Sequence, residues 1–74
     1  MSAGALIRTR RESLGMTQSD LAVLARTAQS AISRIETGMV SPTIRMVEHL
    51  LGATGARLIL TYDADDELGE VRDE

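Results

Sequence analysis

The sequence predicts a compact all-α domain of four short helices followed by one C-terminal strand. Apolar residues recur at spacings of three and four through four separate stretches. Those stretches are punctuated by capping residues and by glycines, the usual helix start and stop signals. After Gly55 the period changes. Ala56–Tyr62, A-R-L-I-L-T-Y, is short, β-branched in part and flanked by breakers, which is the pattern of a strand.

The first helix is expected over Ala5–Leu14. Leu6, Ile7 and Leu14 share an inner face, while Arg8, Arg11 and Glu12 stay in water, and Gly15 stops the helix. Thr17 then stands at a capping position with Asp20 three residues on, a variant of the capping box. The second helix follows as Gln18–Ala25, with Leu21, Leu24 and Ala25 as its apolar stripe. Arg26–Ala28 is a turn. The third helix is Gln29–Glu36, closed by Gly38, with Ile32 and Ile35 pointing inward. Ala22 and Ala31 are small enough to let the second and third helices approach closely. Met39–Pro42 reads as a loop. Thr43 caps the fourth helix, whose buried stripe is Ile44, Val47, Leu50 and Leu51, and Gly52 and Gly55 end it.

A lone strand leaves backbone donors and acceptors without partners, and the chain offers no second strand candidate. The simplest resolution is pairing with the same strand of a second copy across a two-fold axis. The expectation is a homodimer joined through Arg57, Leu58, Ile59, Leu60, Thr61 and Tyr62. The alternative is an extended tail lying on the helices.

Composition narrows the function classes. A chain of 74 residues is one small domain with a limited core. With no cysteine it has neither disulfides nor thiolate metal sites. No apolar run approaches the roughly 20 residues of a membrane span, and Met1–Gly4 lacks the basic and apolar segments of a signal peptide. A cytoplasmic location is therefore expected. The net charge of −3 conceals an asymmetry. Residues 1–62 hold seven Arg against four acids, or +3, and Asp63–Glu74 holds seven acids against one Arg, or −6. The acidic end is expected to be a disordered tail attached to a basic body. Tyr62 is the one aromatic residue. Single-stranded nucleic acids are usually held by stacking on aromatic side chains, so duplex DNA is the more suitable ligand.

Residues Thr17–Glu36 form two short helices joined by a tight turn, and such a pair can deliver its second helix to the major groove. Gln29, Ser30 and Arg34 are the candidate base readers, because Gln matches adenine and Arg matches guanine. Ser33 suits either a base or a phosphate. Gln18 and the first amides of the second helix suit a phosphate. Thr27, Ser41 and Thr43 are further candidate contacts. Spacing alone leaves open a helical hairpin whose outer face is merely solvated.

These residues resemble the Cro/C1-type helix-turn-helix family, also called the XRE family, over residues 6–52. The likeness is carried by Gly15-Met-Thr-Gln-Ser-Asp-Leu-Ala22, by Gln29-Ser-Ala-Ile-Ser-Arg-Ile-Glu36 with Gly38, and by Pro42-Thr43. It implies a lambda-repressor-like DNA-binding domain, a dimeric repressor and a roughly palindromic operator. It also implies an ion pair between Arg11 and Glu36. Three departures stand out. Arg26 occupies a turn position where relatives usually carry Gly, Ala28 replaces a Ser or Thr cap, and Met39 and Val40 stand where relatives often place basic residues.

Gly55–Asp63 looks like the C-terminal strand of HipB-type antitoxins. That shorter likeness implies an alternative: an antitoxin that binds a kinase-type toxin and represses its own operon. Enzyme activity is not expected. His49 is a lone imidazole, and neither a cysteine nucleophile nor a phosphate-binding glycine loop is present. Asp63, Asp65, Glu67 and Glu74 superficially fit a calcium loop, but Leu68 occupies the position that requires Gly. No metal or cofactor is expected.

Overall fold

A computed structural model describes residues 2–59 of the chain. They form helices α1 (Ala3–Ser13), α2 (Gln18–Ala25), α3 (Gln29–Glu36) and α4 (Ile44–Ala53). Helix α1 begins two residues before its expected start because the Ser2 hydroxyl accepts a hydrogen bond from the Ala5 amide at 3.1 Å. The other starts fall where the capping chemistry puts them. Thr17 accepts from the Asp20 amide at 3.0 Å, and Asp20 accepts in return from the Thr17 amide at 2.9 Å. Thr43 accepts from the Met46 amide at 3.0 Å. Ala28 has no side chain able to do this, and α3 starts without a side-chain cap.

All four helices stop in the same way. In each, two successive amides turn back onto carbonyls of the last turn, as in Gly15 to Glu12 and Met16 to Arg11. This closure places one residue in the left-handed region. Gly15, Gly38 and Gly55 fill it after α1, α3 and α4, and Arg26 fills it after α2 with φ 57° and ψ 48°. A side chain in that region costs roughly 1–2 kcal/mol, so the helix-to-helix turn is the one closure held under strain.

Helix α3 packs against α1 and α2, and α4 packs against the same two helices from another side. Ile7, Leu21, Ile32 and Leu50 are the large side chains wholly removed from water, with Ala22, Ala25, Ile35, Val47 and Leu51 around them. Three residues placed in apolar stripes by their spacing are instead exposed: Leu14, Leu24 and Ile44. Each lies at a helix end or on the margin of its stripe, where so small a core does not reach. Arg11, expected in water, is buried at 8% exposure.

That burial is made possible by Glu36. Arg11 donates Nε and Nη2 to the two Glu36 carboxylate oxygens, each at 2.8 Å, and Nη1 to the Met16 carbonyl at 2.7 Å. Gln18 Nε2 donates to Glu36 Oε1 at 3.1 Å. The network therefore ties α1, the start of α2 and the end of α3. Burial alone pushes the Glu36 carboxyl up. The hydrogen bonds from Arg11 and Gln18, with the Arg11 charge, outweigh it and hold Glu36 below the ordinary value of 4.5. The bond to Glu36 raises Arg11 further, against its own desolvation.

A second long-range tie closes the other end of the bundle. Arg10 donates Nη2 to the Thr54 carbonyl at 2.9 Å and Nε to Thr54 Oγ1 at 3.2 Å. Arg10 therefore satisfies backbone oxygen at the end of α4 and is not a spare surface charge. Gly4 makes the α1–α3 crossing possible, since a Cβ there would overlap the Ile35 carbonyl oxygen and lie 3.1 Å from Glu36 Cα.

No strand is present among the described residues. Ala56–Ile59 follow α4 without regular structure, which corrects the expected strand for that part of it. A strand is defined by its ladder, and this segment has no partner strand among the described residues. Its burial nevertheless alternates. Ala56 and Leu58 pack against the core, while Arg57 and Ile59 face outward. Leu60, Thr61 and Tyr62, the rest of the expected dimer strand, lie outside the described residues, as does the acidic end.

Three outcomes follow for stability. Gly4→Ala should lower it by about 2 kcal/mol, because forced overpacking against backbone exceeds the gain in helix propensity. In thermal unfolding that is a drop of roughly 10 °C, and a raised Tm would contradict the close crossing. Arg26→Gly should stabilise by about 1 kcal/mol by relieving the left-handed side chain, read as a higher denaturant midpoint at unchanged slope. Glu36→Gln should cost about 3 kcal/mol at neutral pH by stranding a buried Arg. Because Glu36 titrates lower in the folded state, its contribution is complete above the ordinary glutamate range. It is lost as pH falls through the depressed value. The wild-type advantage over Glu36→Gln should therefore shrink only in acid, and an advantage constant down to pH 2 would contradict the assignment.

Candidate nucleic-acid interface

The geometry of α3 follows from which of its sides the core has taken. At 100° per residue, Ile32 and Ile35 occupy one side, and both are buried. Gln29, Ser30, Ser33 and Arg34 spread over the opposite side. Gln29, Ser30 and Arg34 are exposed, and Ser33 is half-buried between them. None of the four side chains makes a hydrogen bond or ion pair to the described residues. The helix thus presents an amide, two hydroxyls and a guanidinium on one face about 12 Å long.

The neighbouring turn brings Arg26, exposed, and Thr27, half-buried, to the start of that face. The left-handed Arg26 makes the turn short. Its amide donates to Val23 O at 3.2 Å and the Thr27 amide donates to Ala22 O at 2.9 Å. The turn is also braced from α4. His49 Nε2 lies 2.6 Å from the Ala25 carbonyl oxygen. A carbonyl only accepts, so His49 carries a proton on Nε2 and donates it to the last turn of α2.

Helix α2 contributes its N-terminus. The reciprocal capping by Thr17 and Asp20 uses two amides, and those of Gln18 and Ser19 keep no intrahelical acceptor. These two N–H groups suit a phosphate. The half-buried Gln18 side chain donates one Nε2 hydrogen to Glu36. The ion pair thus sets its position, and its second Nε2 hydrogen is left for the expected phosphate contact.

Beyond α3 the chain returns as Ser41 and Thr43, both exposed. Arg34 and Thr43 line one groove of about 300 Å³ with Val40 and Met46. Ser41 faces a different depression, beside Ser2 and Gly38. The structure thus joins Arg34 to Thr43 but sets Ser41 toward the start of α1. Arg11 and Glu36 form the implied pair. Arg57 and Ile59, of the expected dimer segment, are exposed, and Leu58 packs against the core.

Three positioning residues escape a reading of local pattern: Gly4, Arg10 and His49. Gly4 carries only a missing side chain as its signal. The partners of the other two are 44 and 24 residues away. Among the described residues no group of His, Asp and Glu could hold a metal ion. Among them, too, no helix is long and apolar enough to cross a membrane.

Comparison with known proteins agrees with this geometry. No curated protein and no solved structure gives a significant match. A family model described as a helix-turn-helix domain matches residues 2–61, which include all four helices. That span takes in the whole of residues 6–52, over which the XRE-type resemblance runs, and the exposed face of α3 lies at its centre. The chain belongs to the helix-turn-helix domain family.

Proposed function

We propose that this protein is a sequence-specific duplex-DNA-binding transcriptional regulator that acts as a homodimeric repressor. The observation that carries this reading is the uncommitted polar face of α3, set beside free amides at the start of α2. In the proposed complex α3 enters the major groove. Arg34 pairs with a guanine, Gln29 with an adenine, and Ser30 with a neighbouring base edge. Ser33 and Thr27 support base or phosphate contacts, and the Gln18 and Ser19 amides bind a phosphate beside α3. Neither a catalytic role nor a cofactor belongs to this reading.

Dimerisation is part of the proposal because one short helix reads only a few base pairs. Two copies read half-sites one helical turn apart, about 34–36 Å. The alternating burial of Ala56–Ile59 supports pairing in this segment. Its inner side is already packed, and beyond Ala56, whose amide donates to Leu51 O, its backbone makes no hydrogen bond to the described residues. The antitoxin alternative rests on the likeness of Gly55–Asp63, and nothing among the described residues favours a toxin partner over a second copy.

Selection from a pool of random duplexes should yield a roughly palindromic site. Binding to that site should weaken as salt rises. Arg34→Ala should cost about 1–3 kcal/mol of affinity and relax preference at one base pair per half-site. A protein that enriches no sequence, or an Arg34→Ala variant that keeps full discrimination, would overturn the reading. Sedimentation should show a dimer at binding concentrations.

A further inference from the structure

Arg26 is the one non-glycine residue with a positive φ among the described residues. The helix closure it completes needs only a backbone that tolerates the left-handed region, and glycine meets that need at Gly15, Gly38 and Gly55. Where a side chain is carried there, asparagine and aspartate are the usual occupants, because their short polar groups bond locally. Arginine makes no such bond here. Its side chain is exposed and enters none of the hydrogen bonds or ion pairs among the described residues. The backbone therefore gives no reason for a guanidinium at this turn. Strained residues of this kind concentrate at ligand clamps.

The surroundings of Arg26 are those of a clamp. Its backbone is pinned on both sides. Its own amide donates to Val23 O at 3.2 Å, the Thr27 amide donates to Ala22 O at 2.9 Å, and His49 donates to the Ala25 carbonyl at 2.6 Å. The side chain thus leaves from a fixed point. The local charge is of one sign. Residues 21–35 contain two arginines, Arg26 and Arg34, and no carboxylate. The acids on either side are occupied, Asp20 by the Thr17 amide and Glu36 by Arg11. Arg26 also precedes Gln29 by three peptide units, at most about 11 Å of chain. It therefore stands at the N-terminal end of α3, the end from which a reading helix contacts bases.

We propose that Arg26 is a phosphate-binding residue: its guanidinium takes a backbone phosphate of the duplex beside the base that Gln29 meets. The planar fork suits two phosphate oxygens at once. Together with Arg34 it gives each copy a cation at both ends of the α3 face. This assignment rests on the DNA-binding reading and adds to it the residue that holds the strand at the entry of α3.

The test uses the full-length chain, with Arg26→Gly and Arg26→Lys, on the site obtained by selection and on an unrelated duplex. Arg26→Gly should unfold at higher temperature and yet bind both duplexes more weakly. The slope of log affinity against log salt should fall in magnitude by about 0.9 per copy, which is about eightfold in affinity per copy at 0.1 M salt. The ratio between the two duplexes should stay constant, because a phosphate contact positions without reading sequence. Arg26→Lys keeps the charge and should keep the slope. In a scan of the selected site with single neutral methylphosphonates, one position per half-site should weaken wild type and leave Arg26→Gly unaffected. An Arg26→Gly variant with wild-type affinity and slope would overturn the proposal and leave the DNA-binding reading intact. A loss confined to the selected site would overturn the phosphate assignment in favour of a base contact. A wild-type protein that binds neither duplex would overturn the DNA-binding reading, and this assignment with it.

Discussion

The arrangement of the domain depends on one buried ion pair. Arg11 and Glu36 are both out of water, and a buried charge without its partner costs several kcal/mol. Glu36 must therefore face Arg11, and the end of α3 is held against the last turn of α1. The remaining Arg11 nitrogen, Nη1, donates to the Met16 carbonyl, and Gln18 donates to a Glu36 oxygen, so the start of α2 is drawn to the same point. Replacing such a pair by apolar residues is often neutral or stabilising, so its value here is in geometry. It sets the rotation of α3, and with Ile32 and Ile35 turned inward, Gln29, Ser30 and Arg34 have only the outside left. The close packing permitted by Gly4 acts in the same direction, because it allows α1 to lie directly on the α3 backbone.

Local chemistry makes most of the fold legible in the sequence. The bounds of α2 and α3 follow from Thr17, Asp20 and the turn, and the start of α4 follows from Thr43. Those signals act over three or four residues and need no tertiary partner. Errors arise where tertiary geometry decides. Leu14, Leu24 and Ile44 have the right spacing, but the core is too small to cover the ends of every stripe. Arg11 is polar, and only a partner 25 residues away makes its burial tolerable. Family resemblance supplied that pairing, while spacing alone placed Arg11 in water. The candidate site was legible to the same extent. The four polar residues of α3 follow from helical period. The commitment of Gln18 to Glu36 and the support of Ala25 by His49 depend on long-range contacts.

The turn between α2 and α3 combines two local costs. Arg26 bears the left-handed conformation that glycine carries at the other three helix ends, and Ala28 leaves α3 without a side-chain cap, worth about 1 kcal/mol. Neither is repaired locally. The turn holds because its flanks are fixed: Ala22, Ala25 and Ile32 are buried on either side, and His49 binds the last α2 carbonyl. Strain of this sort persists where the surroundings over-determine the conformation.

The electrostatics of the interface are sparse, and this has consequences for any anionic ligand. Residues 1–62 contain seven Arg, but Arg8 is paired with Glu12, Arg10 with the end of α4, and Arg11 with Glu36. Arg26, Arg34, Arg45 and Arg57 remain exposed and unpaired among the described residues. Each phosphate neutralised by a cation contributes about 0.9 to the slope of log affinity against log salt. A single copy therefore gains only a modest nonspecific grip, and duplication becomes the direct way to obtain tight binding. The same arithmetic magnifies the acidic end, where seven carboxylates face so few available cations. In a strongly basic domain such a tail would be a small correction. Here its charge is comparable to the whole field that attracts DNA, and it turns a body of +3 into a chain of −3.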